Sequence, residues 1–356
     1  MNFSVIDKDI EKIISVLKNQ FELLAGKSIL ITGANGFLPA YLVDTIRILN
    51  NNILKYDQIK LYCMTIESKD ACKRIAHVLN EPYAKHIQQD VGKFFNIDFH
   101  VDYIIHAASK ASPKQYLADP IGTIDANVNG TRQLLDYAVV NKIKSFLFFS
   151  SGEIYGDPDR ENIPTKENFL GKSDWLSQRS CYTESKRFAE TLCLNFFYKH
   201  NVPVKIVRPF HIYGPGLSLN DGRVIADFFK DALEQKDINI LSNGLASRAF
   251  CYISDATIAF WKVLLNGKNG QAYNVGNSQE QTTIKNLAKL IAEVFNNKIK
   301  FSVLESQTHP YLSESPNISC PSVEKLKKEL NYEPEVLLKD GLLKLKNWYE
   351  AKNVNC

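Results

Sequence analysis

Short apolar runs alternating with helical stretches predict an α/β protein built on a doubly wound parallel sheet, with a smaller α/β region at its C-terminal end. Three observations carry this expectation. Residues 28–32, 59–64, 103–107, 145–150 and 204–207 form apolar runs that read as buried parallel strands. Helical stretches such as 129–140 and 182–200 lie between them, as right-handed crossovers require. A glycine-containing turn, Thr32-Gly33-Ala34-Asn35-Gly36-Phe37-Leu38-Pro39, joins the first run to a helical pattern.

Ahead of the first strand, Val5, Ile6, Ile10, Ile13, Ile14, Leu17, Phe21 and Leu24 recur at helical spacing, predicting an amphipathic helix over 5–24 that covers the sheet or a partner subunit. Beyond Pro209 the pattern turns irregular, with Gly214-Pro215-Gly216 and a helix over 224–233. No repeats or low-complexity segments occur.

The chain has 356 residues, 45% hydrophobic and 23% charged, enough for a large core in one domain or two. A formal charge of +4 with scattered lysines excludes a nucleic-acid-binding face. No run of eighteen apolar residues and no signal-like N-terminus is seen, so no membrane span and a cytoplasmic location are expected. Seven cysteines, an odd number without Cys-x-x-Cys, fit reduced and mostly structural thiols.

The glycine turn has a chemical reading. Gly33 permits the tight turn, and Gly36 lets backbone approach a pyrophosphate at the positive end of the following helix. Pro39 takes the place of the usual third glycine, which a first helical turn tolerates because that amide is unpaired anyway. Asn35, Phe37 and Leu38 complete the loop as candidate dinucleotide contacts. The second signal is Tyr182 and Lys186, four residues apart on one helix face. An ammonium beside a phenol stabilises the phenolate and brings a tyrosine base toward neutrality. Together the two signals predict hydride transfer with a nicotinamide cofactor.

Further candidates stand where the predicted strands end, the edge at which an open parallel sheet holds ligands. After 145–150 come Ser151, suited to hydrogen-bond a sugar hydroxyl and pass its proton to Tyr182, and the carboxylate of Glu153. After 103–107 come Ala108, Ser109 and Lys110, the last an ammonium able to pair with an anionic substrate. After 204–207 comes His211, read as a substrate or packing contact because Tyr182 fills the role of base.

These motifs resemble the extended short-chain dehydrogenase/reductase family of sugar-nucleotide epimerases, dehydratases and decarboxylases. The resemblance covers nearly everything after residue 26. Its motifs are most similar to those of UDP-glucuronate decarboxylases of the UDP-xylose synthase type: residues 108–113, 151–158, 179–182, 220–224, 247–255 and the closing stretch 326–348. The resemblance implies a Rossmann-type dinucleotide-binding domain over 26–208, a nucleotide-sugar-binding region over 209–356 and an added helical segment over 1–25. It implies Tyr182 as base, Lys186 on the nicotinamide ribose, Ser151 in place of the family's threonine and Glu153 as catalytic glutamate. Asp90 matches an adenine contact, with Val91 and Ala107 beside the cofactor. Arg223 and Arg248 match positions near the nucleotide and its diphosphate, and Ser109, Arg179 and His211 fall on the substrate side. The implied cofactor is retained NAD and the implied substrate a nucleotide sugar, UDP-linked, oxidised at carbon 4. The implied assembly is a homodimer paired through 129–140 and 182–200.

Four departures qualify these implications. Gly152 stands where decarboxylases carry Ser and 4,6-dehydratases carry an acidic Asp. His211 replaces an Asn, and residues 313–317 lack the arginine that relatives place before Pro316. At the end of the second strand Thr65 replaces the acidic residue expected to hold the NAD ribose, with Glu67, Lys73 and Arg74 nearby, which leaves NADP open. The resulting expectation is a decarboxylase of a nucleotide-linked uronic acid. A 4-epimerase, a 4,6-dehydratase and a silent dinucleotide-binding sensor stand as alternatives.

Overall fold

The computed structural model describes residues 4–304 and 316–353, so residues 313–315 of the departing segment lie outside the described residues. Seven parallel strands form the central sheet: β1 (Ser28–Thr32), β2 (Lys60–Thr65), β3 (Ala84–Gln88), β4 (Tyr103–His106), β5 (Ser145–Phe149), β6 (Val204–Pro209) and a last strand, Gln271–Val275. From the last strand they run β6, β5, β4, β1, β2, β3 across the sheet. The chain therefore winds outward from β1 to β3, then resumes at β4 on the other side of β1. This reversal opens a crevice at the carboxyl ends of β1 and β4.

The helices are α1 (Ser4–Leu17), α2 (Phe37–Asn52), α3 (Pro113–Ala118), α4 (Pro120–Asp125), α5 (Thr131–Asn141), α6 (Ser180–His200), α7 (Val224–Leu233) and α8 (Ile253–Asn266). Strand alternation feeds two helical layers. Leu30, Ile104, Phe146 and Phe148 pack with Leu134 and Leu135 of α5 and Ala189, Cys193 and Phe196 of α6. Their neighbours Ile29, Ile31, Ile105, Leu147 and Phe149 point the opposite way, into a core with α1, α2 and α8. Each large side chain buried this way contributes about 1.5–3 kcal/mol.

The predicted N-terminal helix is present as α1 followed by a 3-10 segment, Lys18–Leu24. Ile6, Ile10, Ile13 and Phe21 are fully buried, and Phe21 meets Trp261 of α8 edge-on with ring centroids 5.4 Å apart. Asp9 enters this interface as a polar latch. Its carboxylate accepts from the hydroxyls of Tyr41 (3.3 Å) and Tyr252 (2.7 Å) and from Lys344 Nζ (2.9 Å).

Two strands were not expected from the sequence. Ala84–Gln88 lies at the sheet edge and is half-buried, so it lacks an apolar run. Gln271–Val275 buries Asn274, whose side chain is satisfied by Thr165, Ser322 and Tyr155. The remaining C-terminal chain forms α7, further helices and short paired strands. In one small sheet Ser247–Ala249 sits between Gln281–Thr283 and Ile318–Ser319. No described helix is long and apolar enough to cross a membrane.

Candidate active site

The glycine turn is closely packed. Gly33 has φ +67°, and a Cβ there would lie 2.8 Å from Ala108 Cα, so the turn packs directly on the chain leaving β4. Its carbonyl accepts the Gly36 N–H at 2.8 Å. Gly36 is the N-cap of α2 and no side chain caps that helix. Asn35 Oδ1 accepts the Arg74 N–H at 3.2 Å and ties the turn to the segment after β2. Asp90 is held by its own turn, Oδ1 accepting from Gly92 N at 2.9 Å, with Val91 buried behind it. An uncapped helix N-terminus fronted by close-packed glycine backbone is the donor set a dinucleotide pyrophosphate needs, so these residues fit such a cofactor.

Tyr182 and Lys186 occupy the first turns of α6, both nearly fully buried. Lys186 Nζ donates to the Phe149 carbonyl at 2.6 Å and lies 5.9 Å from the Tyr182 ring centroid. Burial brings its ammonium down to about 7. The sequence predicted a phenol brought toward neutrality, and the structure shows the reverse. Burial, reinforced by Glu153, pushes the Tyr182 phenol up, against the opposing pull of its hydrogen bond with Ser151 and the charge of Arg223. The reason is desolvation, which disfavours phenolate and ammonium alike.

Ser151 Oγ also accepts the Glu153 N–H at 3.1 Å, capping a short 3-10 turn that presents Glu153. The Glu153 side chain is enclosed by protein yet about a third reachable by water (36%), because it sits at the base of a cleft of about 1550 Å³. Burial raises its carboxyl while Arg179, Arg223 and Arg248 oppose the shift. Arg179 Nη2 is 3.7 Å from Glu153 Oε2, and Arg179 Nε donates to Tyr116 Oη at 3.1 Å. Arg223, at the start of α7, is held by Asp221 in a two-point pair. Arg248 Nη1 donates to the Ser247 carbonyl at 2.8 Å.

His211 lines the same cleft with φ +38°. Its Nε2 pairs with Ser319 Oγ at 2.9 Å, and burial beside Arg248 and Arg223 holds the imidazole well below its ordinary value, so it is neutral. The structure thus brings Glu153, Arg179, His211, Arg223 and Arg248 together. Lys110 instead pairs with Asp119, and Ser109 is half-buried outside the cleft lining. At the β2 end the Thr65 hydroxyl donates to the Glu67 carbonyl (2.9 Å) and contacts His86 Nε2 (2.9 Å), while Arg74 Nη2 donates to Asp44 at 2.5 Å.

Several site residues escaped sequence reasoning. Tyr116 and Ser319 acquire their roles only when segments far apart in the chain meet. Asp221 carried the one local signal, an acid two residues before an arginine.

A close-packed glycine turn, a buried Tyr182/Lys186 pair and a guanidinium-lined cleft meet on the doubly wound sheet. Residues 29–276 match the model of the NAD dependent epimerase/dehydratase family, and the chain belongs to that family of enzymes, whose cofactor is NAD. It is similar to Arabidopsis thaliana UDP-glucuronic acid decarboxylase 5, 33% identical over 329 residues that cover 92% of this chain and 91% of the relative. UDP-glucuronic acid decarboxylase 4 of the same plant is 33% identical over 88% of this chain and 66% of its own length. Among solved structures, UDP-glucuronic acid 4-epimerase from Bacillus cereus, in complex with UDP-glucuronic acid and NAD, superposes with a TM-score of 0.74 at 22% identity, covering 91% of this chain and 99% of that one. A dTDP-glucose 4,6-dehydratase from Streptomyces venezuelae with NAD bound gives 0.77 at 20% identity, covering 92% and 98%. At these identities the two structures establish the fold.

Proposed function

We propose that the protein oxidises the sugar of a nucleotide-linked uronic acid, UDP-glucuronate being the first choice, at carbon 4, and that the uronate then loses carbon dioxide. The observation that carries this reading is that Arg179, Arg223 and Arg248 line one cleft with Glu153, Arg179 coming within 3.7 Å of its carboxylate. Three guanidiniums against the carboxylates of Glu153 and Asp221 suit a substrate bearing both a diphosphate and a carboxylate. The decarboxylase relatives support the same choice.

Ser151 takes the proton of the carbon-4 hydroxyl and passes its own to Tyr182. NAD, when bound on the glycine turn, would supply a reversible acceptor for the carbon-4 hydride. Lys186 orients the cofactor ribose. The ketone at carbon 4 turns the uronate into a β-keto acid, whose carboxyl leaves as carbon dioxide without needing a proton on the leaving group. Glu153, raised by burial, returns a proton to the carbon left behind, and Tyr182 reprotonates the carbon-4 oxygen through Ser151. In this reading 26–208 hold the dinucleotide and 209–356 mainly the nucleotide sugar.

Incubation with UDP-glucuronate and neutral UDP-, dTDP-, CDP- and GDP-hexoses, followed by mass spectrometry, tests the reading. Loss of carbon dioxide from the uronate with no net NAD consumption supports it. An intact uronate, together with an isomerised or dehydrated neutral sugar, contradicts it. The protein acts in this reading as a homodimer joined through α5 and α6, where Val140, Phe188 and Tyr198 are exposed. Light scattering that finds only monomer contradicts that assembly.

A further inference from the structure

Ser151 and Glu153 belong to the 3-10 turn Gly152–Tyr155, the first as its cap, while Tyr182 and Lys186 stand on α6. A proton passes between Ser151 and Tyr182 only while turn and helix keep one register, with the heavy atoms about 2.6–3.2 Å apart. Two contacts from further along α6 reach the turn. Arg187, beside Lys186, donates from Nη1 to the Ile154 carbonyl at 3.0 Å and from Nη2 to the Leu170 carbonyl at 2.9 Å. Glu190, one helical turn on, acts through Arg208 of β6. Its Oε1 accepts from Arg208 Nε at 2.9 Å and its Oε2 from Nη2 at 2.6 Å. The third nitrogen, Nη1, donates to the Tyr155 hydroxyl at 2.6 Å and to the Glu167 carbonyl at 2.9 Å. Tyr155 passes its own proton to Asn274 Oδ1 at 2.8 Å, and its buried ring packs on Phe169 and Phe210.

The Glu190 and Arg208 side chains are only 9% and 11% exposed, a setting in which an ion pair is costly unless its remaining groups also find partners. Here they do. The planar guanidinium gives one edge to Glu190 and the opposite nitrogen to Tyr155, a division that the single point charge of a lysine cannot make. Tyr155, Arg187, Glu190 and Arg208 all stand outside the cleft lining, so they bear on the chemistry only through the turn. We infer that Arg187 and the Glu190–Arg208 pair are positioning residues: they clamp the turn of Ser151 and Glu153 onto the helix of Tyr182 and Lys186, and so hold the Ser151–Tyr182 proton path at bonding distance. This rests on the proposed oxidation at carbon 4, in which that path takes the hydroxyl proton.

Arg208→Met strands the Glu190 charge in the interior, so the test uses gentler changes. Tyr155→Phe removes one hydroxyl and leaves the ion pair intact; Arg187→Met removes the two bonds of the other clamp. Each is made alone and together with Ser151→Ala. Hydrogen–deuterium exchange reads the clamp directly. The amides of Glu153, Ile154 and Gly156, bonded within the turn, are expected to exchange about tenfold faster in either variant, the scale of one lost hydrogen bond, with the α6 amides unchanged. Turnover is expected to fall about tenfold in each single variant, with NAD affinity by calorimetry unchanged, and by less than about threefold where Ser151 is already alanine. Unchanged turn exchange in a variant overturns the clamp assigned to that residue. An equal fall in turnover with and without Ser151 overturns the positioning role, because a general loss of structure acts alike in both backgrounds. A parent that converts no nucleotide sugar overturns the functional reading beneath it, while the exchange comparison still decides the clamp.

Discussion

Tyr116 lies flat on Tyr182, their ring centroids 5.1 Å apart and their planes 10° from parallel. The same Tyr116 hydroxyl accepts from Arg179, whose other end approaches Glu153. One buried aromatic therefore holds both the Tyr182 ring and the arginine beside the Glu153 carboxylate.

Removing the stack and removing the hydroxyl should have different consequences. Tyr116→Leu frees the Tyr182 ring and is expected to lower kcat about tenfold, the scale of a lost aromatic pair of 0.5–1.5 kcal/mol. Tyr116→Phe keeps the stack but releases Arg179, and is expected to raise KM more than it lowers kcat. Steady-state kinetics of the two variants read this split.

Tyr182→Phe removes the proton acceptor and keeps the ring. Turnover is expected to fall by about 10²–10⁴, the usual worth of a positioned acid–base group, with NAD binding and melting temperature close to the parent. Calorimetric titration with NAD beside the activity assay checks the pair of outcomes.

Lys205 supplies a pH signature of stability. Its buried ammonium donates to Ser145 Oγ and to the Leu264 carbonyl in the last turn of α8, both at 2.8 Å, and burial brings it down to about 8. The unfolded chain holds this proton up to about pH 10.4. Between pH 8 and 10 the unfolded state therefore binds more protons, and the contribution of Lys205 to stability rises with pH. The parent should gain roughly 2–3 kcal/mol relative to Lys205→Met over that interval, read from urea unfolding at each pH.

Asp9 anchors α1 through three donors in a buried setting. Asp9→Ala strands Lys344 and two tyrosine hydroxyls, so a loss of about 3 kcal/mol is expected in urea unfolding, with kcat nearly unchanged.

How much of this was legible in the sequence depends on how local each signal was. β1, α7 and the glycine turn were readable because period, punctuation and chemistry lie within a dozen residues. The Tyr182/Lys186 pair was readable for the same reason, but its electrostatics were not, since desolvation depends on what packs over α6. The edge strand Ala84–Gln88 has too few apolar residues to announce itself, and Gln271–Val275 hides behind a buried Asn274 whose partners come from elsewhere.

The central claim is that one hydride leaves carbon 4 and comes back to the same sugar. Its most direct test is UDP-glucuronate deuterated at carbon 4, incubated with the NAD-loaded protein and followed by mass spectrometry. The account predicts a decarboxylated product that keeps its deuterium, with no reduced cofactor released. Loss of the deuterium to free reduced cofactor, or a product formed without any oxidation at carbon 4, would contradict it.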